Sequence, residues 1–314
     1  MIADDDVLGA ARRRSEEVAA RWHDGPAWRG LETRFAGLER ASAPEVARQA
    51  RDLLEDDRWI EPLLAPFVEA LAGDPWVEPP LQVSRDPLRT GAVLFDCPAV
   101  SIAAAVLSAD ALVALPPPET VVVPGRLSVV RYVRGGGARL RLWAAEPVRG
   151  DFSAAAARPC LALGTLPLGD GVVLSLDGRT RGHLIEDATG DVVTITATIR
   201  PGAAPFMREY RIADGRFVRV ATLDDGAARS QMMLTLLRQF GRADAGDCFE
   251  AASRDRAFFL RWQAMREWLA VDASAALPRL AEMAADDPNG EVRAAAAATL
   301  PVVEQSIAAR RCRD

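Results

Sequence analysis

Residues 169–199, GDGVVLSLDGRTRGHLIEDATGDVVTITATI, decide the fold. Three short apolar runs are separated by Asp177-Gly178 and Gly190-Asp191, and the last, Asp191–Ile199, alternates apolar residues with threonine. That period of two is the mark of a strand with one buried face. The same rhythm extends outward on both sides. Val121–Val123 and Leu127–Val133 precede Gly135-Gly136-Gly137, with Ala138–Trp143 after it. Met207–Ile212 and Arg216–Thr222 flank Asp214-Gly215. Glycine turns between such runs predict hairpins at 135–137, 177–178 and 214–215. Short strands at near-regular spacing predict an antiparallel β-sandwich or small barrel over 119–225, the sandwich being preferred.

Beyond that region the period changes. In 1–73, Val7, Ala11, Val18 and Trp22 keep helical spacing, as do Trp28, Leu31, Phe35 and Leu38, then Ile60, Leu64, Phe67 and Leu71. Ser42-Ala43-Pro44-Glu45 starts a helix, and Gly73-Asp74-Pro75 ends the region. These residues are expected to form a helical bundle. Residues 74–118 read as a proline-rich connecting segment, in which the apolar run Ala99–Leu115 fits a helix or two short strands, the helix being preferred. In 226–314 helical spacing returns: Arg229–Phe240 ends at Gly241, and Phe258, Phe259, Trp262, Met265 and Leu269 give a broad apolar face. Such a face predicts a large interface, within the chain or in a homodimer. The fold class is α+β.

Composition excludes much chemistry. The 314 residues contain no lysine and two histidines, His23 and His183. Without lysine there is no Schiff-base catalysis and no phosphate-binding loop lysine. The charge of −6 argues against nucleic-acid binding. Cysteines at 97, 160, 248 and 312 form no close pair, so no zinc knuckle or redox pair is written locally. The acidic start, Met1-Ile2-Ala3-Asp4-Asp5-Asp6, and the lack of a long apolar run predict no membrane span and a cytoplasmic location.

Two stretches resemble known families. Leu277, Leu280 and Met283, then Asp287-Pro288, then Glu291-Val292-Arg293, Ala297 and Leu300, are similar to a HEAT-type helical repeat over about 30 residues. That resemblance implies a helical hairpin used in packing or protein contacts. The central run Gly169–Gly178, with His183 and Gly190-Asp191-Val192-Val193, resembles the cupin-like jelly roll. Metal-binding cupins carry several histidines and a glutamate, and this stretch holds His183 alone, followed by Leu184-Ile185-Glu186. No metal and no cofactor are therefore expected.

The candidate ligand-binding residues are Arg131, Arg139, Arg141, Trp143, His183, Glu186, Arg208 and Tyr210. Arg139 and Arg141 share a strand face with Trp143, and inward-pointing arginines beside an aromatic ring would hold a carboxylate or phosphate. Arg181 belongs to the same set of strand arginines, and Arg208 and Tyr210 share a face of another strand. His183, between Arg181 and Glu186, is a candidate general base. Pointing outward, the same arginines would only solubilise a sheet. The expected function is a metal-free cupin-like binding or scaffold protein for an anionic small molecule or peptide, its helices docking a protein partner. The alternative is a cupin-like tailoring enzyme with non-standard active-site residues.

Overall fold

The computed structural model describes residues 5–148, 152–154, 156–223 and 225–311. The chain is α+β and folds as two compact units. The first holds residues up to 147, 159–204 and 208–218, and the second holds 148–158, 205–207 and 219 onward.

In the first unit four helices, α1 (Asp5–His23), α2 (Pro26–Phe35), α3 (Ala43–Glu55) and α4 (Ile60–Gly73), precede the strands. Next come β1 (Gln82–Arg85), β2 (Arg89–Asp96), β3 (Val100–Leu107) and the short α5 (Ala109–Ala114). They are followed by β4 (Thr120–Val123), β5 (Leu127–Arg134), β6 (Arg139–Ala144), β7 (Leu161–Pro167), β8 (Val172–Asp177), β9 (Arg181–Glu186) and β10 (Val192–Ile199). Two further strands, β11 (Phe206–Arg211) and β12 (Phe217–Thr222), contribute residues 208–211 and 217–218 to this unit. The main sheet has the order β1-β2-β3-β10-β5-β8, and two three-stranded sheets run β7-β6-β9 and β12-β11-β4.

Alternation on the strands assigns each face. Val129, Ile195, Ala197 and Ile199 join Ile102, Phe95 and the helix residues Trp22, Phe35, Leu54 and Phe67 in one core. The N-terminal helices thus cover one face of the main sheet and share its core. On the other face Val130, Tyr132, Leu176 and Val192 pack with Leu140 and Leu142 of β6. A third cluster, Val121, Val123, Trp143, Cys160 and Tyr210, lies on the far side of β6.

Two sequence expectations change here. The run Ala99–Leu115 is a strand and a one-and-a-half-turn helix. Val100–Leu107 pairs with β2 on one side and β10 on the other. A short apolar run cannot distinguish helix from strand by period, and pairing on both edges decided it. With β1 and β2 also in 74–118, the expected connecting segment supplies three strands of the main sheet.

The expected glycine hairpins divide. At Asp214-Gly215 the chain reverses into its neighbour, with Gly215 N–H donating to Arg211 O at 2.9 Å. By contrast β5 and β6 lie in different sheets, and so do β8 and β9, so Gly135–Gly137 and Asp177-Gly178 are arches between layers. Gly136 shows why glycine is needed: its φ is +58°, and an added Cβ would stand 2.1 Å from Gly190 O. Gly136 O also accepts from Thr189 N–H and Gly190 N–H, at 2.9 and 3.0 Å. Gly136→Ala therefore combines left-handed strain of about 1–2 kcal/mol with a backbone clash. An unfolding free energy from urea titration lowered by at least that strain is the expected result, and an unchanged value would refute the account.

The second unit contains α6 (Asp225–Gln239), α7 (Gly246–Ala252), α8 (Phe258–Val271), α9 (Ala273–Asp286) and α10 (Gly290–Arg311). Leu234, Phe249, Leu260, Ala264, Met265, Trp268, Leu280, Met283, Val292 and Ala296 form its core. The large interface expected of α8 lies within the chain, but on a different face. Leu260, Ala264, Met265 and Trp268 are buried, while Phe258, Phe259, Trp262 and Leu269 are half-buried. The shift follows from two charged residues that pairing allows to be buried: Arg261 bonds Asp287, and Glu267 bonds Arg238, Gln263 and Thr235. Cys312, Asp224 and the loop signal Arg149-Gly150-Asp151 lie outside the described residues. Among the described residues no helix is long and apolar enough to cross a membrane.

Candidate ligand site

The expected anion pocket does not form, because strand alternation and pairing send its members to different faces. Arg131 stands opposite Ile195, on the helix-covered side of the main sheet. Its guanidinium donates to Leu54 O at 2.8 Å, Glu55 O at 3.2 Å and Asp57 Oδ2 at 2.7 Å. It closes the C-terminus of α3, where carbonyls lack intrahelical donors.

Arg139, Arg141, Trp143 and Glu186 share the face of the β7-β6-β9 sheet that points away from the main sheet. Arg139 is exposed and donates to Thr165 Oγ1. Arg141 reaches Glu186 Oε1 at 3.3 Å, its guanidinium carbon 4.7 Å from the centre of the Trp143 ring. Trp143 is 1% exposed, packed with Val121, Val123, Cys160 and Tyr210. Opposite it on β9 stands Gly182, where a Cβ would meet Val121 Cγ2 at 2.8 Å and Val122 O at 2.9 Å, so only glycine admits β4 so close.

Arg208 is buried and bonds three oxygens: Glu146 O at 2.5 Å, Arg179 O at 2.7 Å and the Tyr210 hydroxyl at 3.1 Å. Tyr210 is equally buried. Both are interior structural groups.

Of the eight candidates His183 alone faces the main sheet. It stands opposite Leu142, as Ile185 stands opposite Leu140, and those three neighbours pack in the inter-sheet core. Burial holds its imidazole below the ordinary histidine value of 6.5, so it is neutral at pH 7. Among the described residues it makes no hydrogen bond to another protein group.

What it faces was not singled out from sequence. The inner face of the main sheet carries Ser101, Ala103 and Ala105 on β3, Thr194, Thr196 and Thr198 on β10, and Ser128, Val130 and Tyr132 on β5. The serines, threonines and alanines there are half-buried, although β10 is a central strand paired on both edges. Among the described residues none of these hydroxyls bonds another protein group. Tyr132 is 1% exposed, its phenol pushed up to about 12 by burial. Hydroxyls that both donate and accept, half-shielded and without protein partners, make a surface suited to a polar ligand. The alternating threonines of 191–199 were the legible signal; nothing local marked Tyr132.

A metal does not fit this site. The inner face offers one imidazole, and among the described residues no three His, Cys, Asp or Glu side chains gather into a donor set.

No family model and no curated protein matches the chain. Partial likenesses to solved structures exist. The 7S globulin of Momordica charantia is 14% identical, over 42% of this chain and 35% of its own, with a TM-score of 0.27. Ectoine synthase from P. lautus is 12% identical, over 46% and 85%, at 0.24. A sugar phosphate isomerase of the cupin superfamily from Silicibacter pomeroyi is 11% identical, over 44% and 78%, at 0.23. The chain thus spans about a third of the globulin but most of the ectoine synthase. Scores this low carry no argument about chemistry, and the α+β architecture rests on the strand pairing itself.

Proposed function

We propose that this chain is a metal-free cupin-like binding protein that holds a small polar molecule between its two main β-layers. The observation that carries the reading is the half-buried inner face of hydroxyls without protein partners. The expected anion is not retained as the ligand, because Arg131, Arg139, Arg141 and Arg208 are engaged on other faces. The helix pair α9–α10, HEAT-like in sequence, is proposed as a docking surface for a protein partner.

The test is a saturation-transfer NMR panel of neutral polyols, carboxylates and phosphates against the folded chain. At least one class should show saturable binding, and Ala103→Phe, which fills the inner face, should abolish it while the fold holds by circular dichroism. A panel with no binder sinks the reading. Bound ligand should also raise stability, by about 2.7 kcal/mol at a hundredfold excess over Kd.

One observation favours a second reading. The neutral, inward-facing His183 is in the protonation state of a general base. If the bound ligand is turned over and His183→Gln stops turnover without stopping binding, the protein is an enzyme.

A further inference from the structure

The register of the inner face goes further than binding and selects a chemical class. Ser101, Thr198 and Ser128 stand directly opposite one another on three adjacent strands. Two residues along, Thr196 lies between Ala103 and Val130; two more, Thr194 lies between Ala105 and Tyr132. Strand geometry separates hydroxyls by about 4.8 Å across the sheet and about 6.5–7 Å along β10. The result is a two-dimensional grid of groups that each donate and accept.

Beside the grid the surface is low. Ala103 and Ala105 flank the threonine row, and Gly91, opposite Ala105, has no side chain. A Cβ at Gly91 would meet Ala105 Cβ at 3.4 Å and Ser84 Oγ at 3.5 Å, on this same face. Small residues in the middle of a sheet leave a shelf on which a flat or extended molecule can lie.

The middle of the shelf is neutral. The carboxylate in the row, Asp96 opposite Ser101, is ion-paired with Arg200 at 2.5 Å. Arg89 and Arg181 are exposed at strand ends, outside the threonine row. A phenol borders the row: Tyr132, 1% exposed as a residue, stands opposite Thr194, and its hydroxyl makes no hydrogen bond to another described protein group. A ligand oxygen beside it could accept from this hydroxyl or donate to it.

We infer that the shelf takes a neutral polyhydroxylated molecule, a polyol or sugar, laid along Thr194, Thr196 and Thr198 and reaching Tyr132. The inference rests on the binding reading above.

Isothermal titration with sorbitol, gluconate and hexanol tests it, on the unmodified chain and on Thr196→Val and Thr198→Val. Valine keeps the shape and strand preference of threonine and removes only the hydroxyl. Sorbitol should bind saturably, hexanol should not, and each variant should weaken sorbitol about fivefold or more, the loss of one neutral hydrogen bond. Sorbitol affinity unchanged in both variants overturns the assignment. So does gluconate binding more than tenfold tighter than sorbitol, which would make the ligand an anion. If polyols fail but another class from the panel binds, the class is wrong and the binding reading stands. If nothing binds, both fall.

Discussion

Arg261→Ala should lower the unfolding free energy of the helical unit by about 3–5 kcal/mol, the cost of stranding one member of a buried ion pair. Arg261 donates from Nε to Asp287 Oδ2 at 2.8 Å and from Nη2 to Oδ1 at 2.6 Å, a two-point fork. The side chains are 8% and 0% exposed, so water would not replace the lost partner. Arg261 Nη1 also serves Asp255 O and Arg256 O, at 2.9 and 3.2 Å. Asp287 carries a second load: its Oδ1 accepts from Asn289 N–H at 2.9 Å, while Asn289 Oδ1 accepts from Glu291 N–H and Val292 N–H at the start of α10. Removing the arginine therefore disturbs both the α8 packing and the α10 cap. Arg261→Met with Asp287→Leu should recover most of the loss, because an apolar pair leaves no charge unmatched. Urea unfolding followed by tryptophan fluorescence measures both; an Arg261→Ala loss under about 1 kcal/mol would show the fork to be dispensable.

The same pair contributes to the acid limb of stability. Burial alone would raise the Asp287 carboxyl, but the bonds from Arg261 and from Asn289 N–H outweigh it and hold it below 3.8. With the folded value below the unfolded one, the unfolded state binds the extra proton. The contribution is fully present above the unfolded carboxylate value and is lost as pH falls through the folded one.

How much of this was legible depended on whether the signal was local. The threonine alternation of 191–199 specified β10 and its two faces, because a period of two needs no tertiary knowledge. The helical spacing of Val18, Trp22, Leu31, Phe35 and Phe67 marked residues that are buried. The glycines at 135–137 announced a sharp turn but not its type. Whether a turn closes a hairpin or arches between sheets depends on which strands pair, and β5 finds β10 and β8 across tens of residues. The site was least legible for the same reason. Arg139 and Arg141 were rightly placed on one face with Trp143, but that face turned out to look away from the main sheet. Ser101 and Ser128 become neighbours of Thr198 only through register, which no single segment encodes.

Arg208 separates the two kinds of residue in the candidate list. An arginine that binds ligand should leave stability nearly unchanged when replaced, whereas this one bridges Glu146 O, Arg179 O and the Tyr210 hydroxyl while 2% exposed. Arg208→Met should strand two carbonyls and a phenol in the interior, and each unsatisfied buried group costs about 1–3 kcal/mol, for a total of about 3 kcal/mol or more. Arg208→Lys keeps the charge but replaces a planar fork with one ammonium, which cannot meet three acceptors held in fixed directions, so an intermediate loss is expected. Polyol titration of whichever variant stays folded should match the unmodified chain, because Arg208 lies on β11 and the hydroxyl shelf lies on β3, β10 and β5. A variant with unchanged urea midpoint and lost binding would reverse the assignment, returning Arg208 to the site and restoring the case for an anionic ligand.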